Sequence, residues 1–188
     1  MENDIEGEVI MKMDEVAGSG NDEFYTPAYA VKPIFKYLKE GTTIWCPFDT
    51  KESLFVRYGK ANGFNIICSH ISWGGDFFKI RPKSDIDYVI SNPPYSLKTE
   101  VFERLFKLGI PFAMLVGVVG LFESQKRFEM FRDNEFEIMY FNKRISYFKS
   151  YEDVKPALNP PFSSVYLCQN ILPEKIMFEE VNKKDYTL

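Results

Sequence analysis

The segment Ser91–Tyr95, with the sequence Ser-Asn-Pro-Pro-Tyr, has residue types and spacing suited to chemistry on a ring-bound amino group. The lone pair of such a nitrogen is spread into the ring, which makes it a poor nucleophile. The side-chain oxygen of Asn92 and the carbonyl of Pro93 can accept hydrogen bonds from its two protons and so localise the lone pair. Tyr95 can stack on the ring. The pattern therefore suits positioning of an amino group, while the electrophile is left to a cofactor.

The two prolines also determine where this segment lies. An apolar run at 86–90 predicts a strand just before it. Consecutive prolines remove two backbone donors and fix two φ angles at about −65°, so the chain leaves the strand along a rigid path. Open α/β sheets bind their ligands at the carboxyl ends of such strands. A plain strand-ending turn is the alternative interpretation.

Composition limits the possible classes of protein. A chain of 188 residues with 45% hydrophobic and 27% charged residues predicts one ordinary globular domain. The net charge of −4 does not indicate a nucleic-acid binder, so any phosphate contact relies on a local basic patch. The high aromatic content of 16% fits either a bulky core or a stacking site. The best candidates for phosphate contacts are Lys126, Arg127, Arg132, Lys143 and Arg144.

Cysteine and histidine usage argues against a metal site. Cys46, Cys68 and Cys168 are far apart and show no metal-ligand spacing, which predicts buried free thiols and a reducing compartment. His70 is the only histidine, which disfavours a histidine zinc site or a hydrolase triad. No signal peptide or apolar run of membrane-spanning length is found, so we expect a cytoplasmic protein.

The order of elements predicts an α/β fold. Residues 1–20 are polar and acidic and are interpreted as a flexible arm before a single domain at 21–188. Helices alternate with strands up to residue 132, and strands follow, which predicts a mostly parallel sheet with helices on both faces and an antiparallel hairpin at one edge. Thr26 is expected to cap the first helix, and a proline-containing loop at 149–161 to cover part of the domain. Helices are expected at about 27–39, 53–62, 98–108 and 124–132, and strands at about 42–46, 64–68, 86–90, 112–119, 136–141 and 163–167.

The motif at Ser91–Tyr95 resembles the (Asp/Asn/Ser)-Pro-Pro-(Tyr/Phe) motif of amino-group methyltransferases that use S-adenosylmethionine. Its Asn-Pro-Pro-Tyr form is typical of adenine-specific DNA methyltransferases. Phe24-Tyr25-Thr26-Pro27 resembles the tract ahead of the cofactor site in that family, and Gly75-Asp76-Phe77-Phe78 resembles the segment that contacts the cofactor adenine. With Trp45-Cys46-Pro47-Phe48-Asp49, the chain is most similar to small phage-encoded adenine methyltransferase-like proteins, over residues 22 to 168.

The resemblance implies a Rossmann-like methyltransferase fold that uses S-adenosylmethionine. It implies methyl transfer to the exocyclic amino group of adenine in DNA, in the host cytoplasm if the protein is phage-encoded. The implied catalytic residues are Asn92, Pro93, Pro94 and Tyr95. The implied cofactor-binding residues are Phe24, Tyr25, Thr26, Cys46, Pro47, Phe48, Asp49, Ser69, His70, Asp76, Phe77 and Ser91.

Three departures from the family pattern keep alternatives open. The segment Pro47–Ser53 contains no glycine where the family has a glycine-rich loop, and Asp49 there could accept from the cofactor ammonium while Ser53 caps the next helix. Ser69 and His70 stand where the family has an acidic residue that binds ribose. No separate target-recognition domain fits in 188 residues. The alternatives are a catalytically impaired, DNA-associated or regulatory binding protein, and a methyltransferase acting on RNA or on protein glutamine.

Overall fold

A mixed seven-stranded sheet forms the centre of the computed structural model, which describes residues 24–188. The arm predicted at 1–20 lies outside the described residues. Each strand corresponds to a β-branched or aromatic run, and β4 is buried at every position because its sequence, FAMLVG, is apolar throughout. The strands are β1 Thr43–Cys46, β2 Asn65–Cys68, β3 Tyr88–Ser91, β4 Phe112–Gly117, β5 Glu137–Phe141, β6 Ser164–Gln169 and β7 Ile176–Glu179.

Helices cover both faces of the sheet, as the sequence predicts. On one face, α1 and α2 pack in an apolar cluster that includes Ile44, Ile90 and Tyr166. On the other face, α3 and α4 pack in a second cluster that includes Val89 and Met114. Neighbouring residues of one strand point to opposite faces, so each strand contributes to both clusters. The helices are α1 Ala28–Phe35, α2 Leu54–Ala61, α3 Lys98–Leu108 and α4 Gln125–Arg132.

The strand order is β2-β1-β3-β4-β6-β5-β7. All neighbouring pairs are parallel except the two that contain β6. The mostly parallel sheet is thus confirmed, but the antiparallel hairpin expected at an edge is wrong in position. Strand β6 lies inside the sheet, and the edge is formed by β7, which the sequence pattern did not predict. This strand has only four residues, and Ile176 and Phe178 are 56% and 80% exposed, so it lacks the signal of a buried strand.

The first helix differs from its prediction at both ends. Pro27, not Thr26, is the N-cap, and the helix ends at Phe35 rather than near residue 39. Residues 36–38 continue as turns whose backbone N–H groups bond to carbonyls three residues earlier. The Thr26 hydroxyl instead lies within reach of Asn92. The predictions for α2 and α3 are confirmed, with Ser53 capping α2 by accepting from Phe55 N.

The strand order of the sheet reverses at β1, which lies between β2 and β3. From β1 the chain first adds β2 on one side and then crosses to add β3 on the other side. Crevices at the carboxyl ends of two such strands are the general ligand site of open α/β sheets. Pro93 and Pro94 lead the chain out of β3 at this point, and a 3₁₀ turn at Tyr95–Leu97 joins it to α3.

Glu137 holds the turn between β6 and β7. Its buried carboxylate accepts from the backbone N–H groups of Asn170, Ile171 and Leu172, at 2.9–3.1 Å. Glu137→Ala leaves three donors without this charged acceptor, so we expect the free energy of unfolding in urea to fall by roughly 2–4 kcal/mol.

Glu135→Ala is the matched control for this variant. Glu135 forms an exposed ion pair with Lys175, which solvent screens, so its loss should change the free energy of unfolding far less than the loss of Glu137. Equal losses in the Glu137 and Glu135 variants would contradict the assigned role of Glu137.

Candidate functional site

A cleft of about 490 Å³ opens at the carboxyl ends of β1, β2 and β3. Its size is within the range of roughly 300–1,000 Å³ typical of small-molecule sites. It lies where the topology of the sheet places a crevice. Its lining includes many of the predicted site residues, namely Phe24, Tyr25, Thr26, Pro47, Phe48, Asp49, His70, Asp76, Phe77, Asn92 and Pro94.

The amide of Asn92 has one fixed orientation. Its Nδ2 donates to the Phe24 carbonyl at 2.8 Å and lies 3.4 Å from the Thr26 hydroxyl. A carbonyl oxygen only accepts, so the nitrogen has to face it and the opposite orientation is unfavourable. Oδ1 is shielded from solvent and has no hydrogen-bond partner within residues 24–188. A buried amide oxygen without a donor is costly, so it marks a position where a ligand donor would be stabilising.

Tyr95 lies behind Phe24 rather than in the cleft wall. The two rings stack at 4.9 Å with an interplanar angle of 23°, and Phe24 lines the cleft whereas Tyr95 does not. The Tyr95 hydroxyl lies 3.0 Å from that of Tyr147, and Lys98 Nζ lies 5.6 Å from the Tyr95 ring centroid. Phe24 therefore contacts two of the four candidate catalytic residues, through its carbonyl to Asn92 and through its ring to Tyr95.

The segment 24–26 is held in place by the later part of the chain. Tyr25 and Phe148 form an antiparallel bridge, with Phe148 N donating to the Tyr25 carbonyl at 2.9 Å and Tyr25 N to the Phe148 carbonyl at 3.4 Å. Phe24 and Thr26 are 7% and 1% exposed. The position of Asn92 thus depends on a backbone contact between segments that are more than one hundred residues apart.

Asp49 is a buried carboxylate in the cleft wall. It accepts hydrogen bonds from the Ser53 and Ser91 hydroxyls and is 7% exposed. Burial raises its pKa from the usual 3.8 to about 6, although the two serine hydroxyls oppose the shift. Ser91 therefore links the end of β3 to the loop after β1. The site contains an acid that changes charge close to neutral pH.

Tyr151 belongs to the cleft wall, and the sequence pattern did not single it out. Its hydroxyl accepts from Leu54 N at 3.2 Å, and its ring packs edge-on to Tyr25 at 4.8 Å. The available signal was an aromatic residue inside the proline-containing loop at 149–161, which was expected to cover something. Other lining residues absent from the predicted set are Thr50, Ser53, Ile71, Gly75, Phe78 and Leu97.

An aromatic cluster forms the end of the cleft beside β2. Phe77 is 2% exposed and packs against Phe48 at 4.8 Å and Trp45 at 5.5 Å. Asp76 accepts from Phe78 N at 2.9 Å and pairs with Lys79, and these contacts lower the pKa of its carboxyl group. This end of the cleft therefore combines flat apolar surface with one ionised carboxylate, which suits a heterocyclic ring that carries donors.

Of the remaining predicted residues, Cys46, Ser69 and Pro93 lie near the cleft without lining it, whereas His70 lines it. Cys46 is fully buried in the core, and burial raises its thiol pKa. Ser69 accepts from the Trp45 indole at 3.0 Å, and His70 lines the cleft while accepting from Ser72 N to cap a 3₁₀ turn. Pro93 is buried at the end of β3.

Three of the five basic residues proposed for phosphate contacts already have side-chain partners. Lys126 pairs with Glu103, and Arg132 pairs with Asp133. Arg127 donates to the Thr99 hydroxyl at 2.9 Å. Within residues 24–188, no cluster of three metal-ligating side chains is found. The same residues include no helix long and apolar enough to span a membrane.

Comparisons with known proteins identify the fold. No protein-family model matches the sequence, and no curated protein matches it. Among solved structures, the chain is similar to the modification subunit of a putative type I restriction enzyme from Vibrio vulnificus YJ016, with a TM-score of 0.55 and 11% sequence identity. The similarity covers 92% of this chain and 50% of the other, so this chain spans half of its neighbour's length. At this identity, the two proteins share a fold.

The raised pKa of Asp49 gives stability a specific pH dependence. Between about pH 4 and pH 6 the native state keeps a proton on Asp49 that the unfolded chain has released, so the free energy of unfolding falls as the pH rises through this window. The fall attributable to Asp49 is about 3 kcal/mol. Asp49→Asn has no such charge, so we expect this part of the fall to be missing in urea titrations at several pH values. Parallel pH profiles for the variant and the wild type would contradict this.

Proposed function

We propose that this protein is a Rossmann-like, S-adenosylmethionine-dependent methyltransferase that modifies the exocyclic amino group of adenine in DNA. The observation that carries the proposal is the unpartnered Oδ1 of Asn92, in a side chain that lines the cleft and is oriented by the Phe24 carbonyl. An acceptor held in this way matches an amino group that must give a hydrogen bond before it can react. Because Oδ1 is shielded from solvent, the groups that cover it have to move before such an amino group reaches it.

The chain's own groups position the amino nitrogen. Asn92 Oδ1 and the Pro93 carbonyl accept from its two protons, which returns the lone pair to the nitrogen. That lone pair would form the new N–C bond as the bond between the methyl carbon and the cofactor sulfur breaks, its electron pair remaining on the now neutral sulfur of S-adenosylhomocysteine, and the surplus proton would leave to solvent. Such positioning can be worth about 7–11 kcal/mol. The Phe24 ring covers Tyr95 at the cleft wall. The Phe24 ring therefore has to move aside before the base can contact Tyr95 directly.

The cleft also has the groups that the cofactor needs. S-adenosylmethionine supplies an electrophilic methyl group on a positively charged sulfur. Asp49 is the buried acceptor available for an ammonium group, and Phe48, Asp76 and Phe77 suit an adenine ring at the other end of the cleft. A positive ligand next to Asp49 would stabilise its ionised form, which burial alone disfavours.

Two further observations support the class of reaction. The fold is shared with a restriction-enzyme modification subunit, and the motif at Ser91–Tyr95 resembles that of adenine methyltransferases. DNA is the proposed substrate in spite of the net charge of −4, with Arg127, Lys143 and Arg144 as candidate phosphate contacts. RNA and protein glutamine carry amino groups of the same chemistry, so the assay below has to include them.

Asn92→Ala should abolish methyl transfer while leaving cofactor binding intact. The variant loses the acceptor for the target amino group but keeps Asp49 and the aromatic cluster. We expect transfer of labelled methyl groups from S-adenosylmethionine to unmodified DNA to fall by at least about 100-fold. Calorimetry should give a cofactor affinity within about threefold of the wild type, and hydrolysis of the DNA identifies the methylated base.

Asn65→Ala is the control, because Asn65 is exposed at the start of β2 and bonds to the Gly41 carbonyl. It should transfer methyl groups at the wild-type rate. Unchanged transfer in Asn92→Ala would contradict the proposal. Cofactor binding without transfer to DNA, RNA or protein by the wild type would favour a catalytically impaired binding protein.

Cofactor affinity should rise with pH through about 6, where Asp49 loses its proton. Below this pH an ammonium group has to displace that proton, so the affinity falls by up to tenfold per pH unit. Asp49→Asn should bind more weakly at pH 7 and lack this pH dependence. Titration calorimetry across this pH range tests both, with the exposed Asp133→Asn variant as control. A wild-type affinity independent of pH would argue against an ammonium group at Asp49.

A further inference from the structure

Three hydroxyl groups form a chain behind the candidate catalytic motif. The Tyr147 hydroxyl lies 3.0 Å from the Tyr95 hydroxyl and 2.8 Å from Ser164 Oγ. Tyr147 and Ser164 are 0% and 3% exposed, so both groups are removed from solvent. The chain connects the motif after β3 with the first residue of β6, two strands away in the sheet.

Both backbone hydrogen-bonding groups of Tyr147 are paired with Leu158. Its N–H donates to the Leu158 carbonyl at 2.8 Å, and its carbonyl accepts from Leu158 N at 2.9 Å. The next residue, Phe148, forms the bridge to Tyr25. The edge of the Tyr147 ring packs against Phe24 at 5.2 Å. A hydroxyl placed by this many contacts has little freedom, so its partner is held in one position.

We propose that Tyr147 is a positioning residue that fixes the place of the Tyr95 ring by holding its hydroxyl end through their hydrogen-bonded hydroxyls. The inference rests on the proposed function, in which Tyr95 contacts the target base. The hydroxyl oxygen of a tyrosine lies on the axis of its Cβ–Cγ bond, so a hydrogen bond to it restrains χ1 and the place of the ring rather than rotation of the ring about its own axis. Fixing the ring beforehand reduces the ordering that a bound base would otherwise have to impose.

The hydroxyl of Tyr147 has two hydrogen-bond partners, which is one more than a buried hydroxyl needs. A buried hydroxyl needs one partner, and Ser164 supplies it. The contact with Tyr95 is additional and is made to the residue next to the proline pair. Burial raises the pKa of Tyr147 well above its usual value, so its hydroxyl keeps its proton and its bonds across the working pH range.

Tyr166 offers a matched control. It is also fully buried, and its hydroxyl donates to the Ala30 carbonyl at 2.8 Å. Removing either hydroxyl leaves the ring in place. Tyr166→Phe deletes one hydrogen bond and Tyr147→Phe deletes two, so we expect both variants to stay folded and Tyr147→Phe to be the less stable in urea by roughly 1 kcal/mol. Only Tyr147→Phe removes the hydroxyl that contacts Tyr95.

The test compares Tyr147→Phe, Tyr166→Phe, Tyr95→Phe and the Tyr95→Phe/Tyr147→Phe double variant in methyl transfer. We expect Tyr147→Phe to lower kcat about tenfold with an unchanged KM for S-adenosylmethionine, and Tyr166→Phe to stay within about twofold of the wild type. The double variant should be no slower than Tyr95→Phe, because Tyr147 acts through the hydroxyl that Tyr95→Phe already lacks.

A second readout does not need activity. With labelled tyrosines, NMR should show altered ring signals and a wider spread of χ1 rotamers for Tyr95 in Tyr147→Phe but not in Tyr166→Phe. Unchanged Tyr95 signals in Tyr147→Phe, equal kcat in the two single variants, or additive losses in the double variant would each overturn the inference. A wild type that transfers no methyl group while its Tyr95 signals respond as expected would overturn the proposed function alone.

Discussion

The hydrogen bond from Asn92 Nδ2 to the Phe24 carbonyl is the contact on which the site depends. Because a carbonyl can only accept, this bond decides which end of the Asn92 amide remains without a partner. The carbonyl is in turn positioned by the backbone bridge between Tyr25 and Phe148. The polarity of the candidate pocket is therefore set by packing of the backbone rather than by the motif alone. An Asn-Pro-Pro-Tyr sequence without the segment at 24–26 would leave its amide free to turn.

Asp49 is an acidic residue at a position in the cleft wall where burial makes its ionised form unfavourable. Its burial disfavours the ionised form, and hydroxyl groups from Ser53 and Ser91 compensate only in part. A group that served stability alone would be neutral at this position. Retention of an acid in a cleft wall, where its charge is costly, is the pattern expected of a site that receives a positive ligand.

Local sequence signals predicted much of the fold and part of the site. The helix at 98–108 was correct because its apolar spacing ends at Gly109, and the prolines after β3 marked the carboxyl edge correctly. Tyr147 could not be found in this way, because it meets Tyr95 across 52 residues of sequence, and the position depends on how the loops fold back. Strand β7 was missed because half of its residues are exposed.

The loop at Pro47–Ser53 explains how a cleft of this kind can form without glycine. Glycine allows backbone to approach a ligand closely. Here the first amides of α2 already have side-chain partners, since Phe55 N donates to Ser53 and Leu54 N donates to Tyr151. These two backbone N–H groups at the helix start are thus engaged, and in the proposed function recognition of the ligand falls to the Asp49 side chain in the cleft wall. If Asp49 receives the ammonium group as proposed, the absence of glycine replaces backbone contacts with side-chain contacts, and ligand binding depends on the protonation of one buried acid.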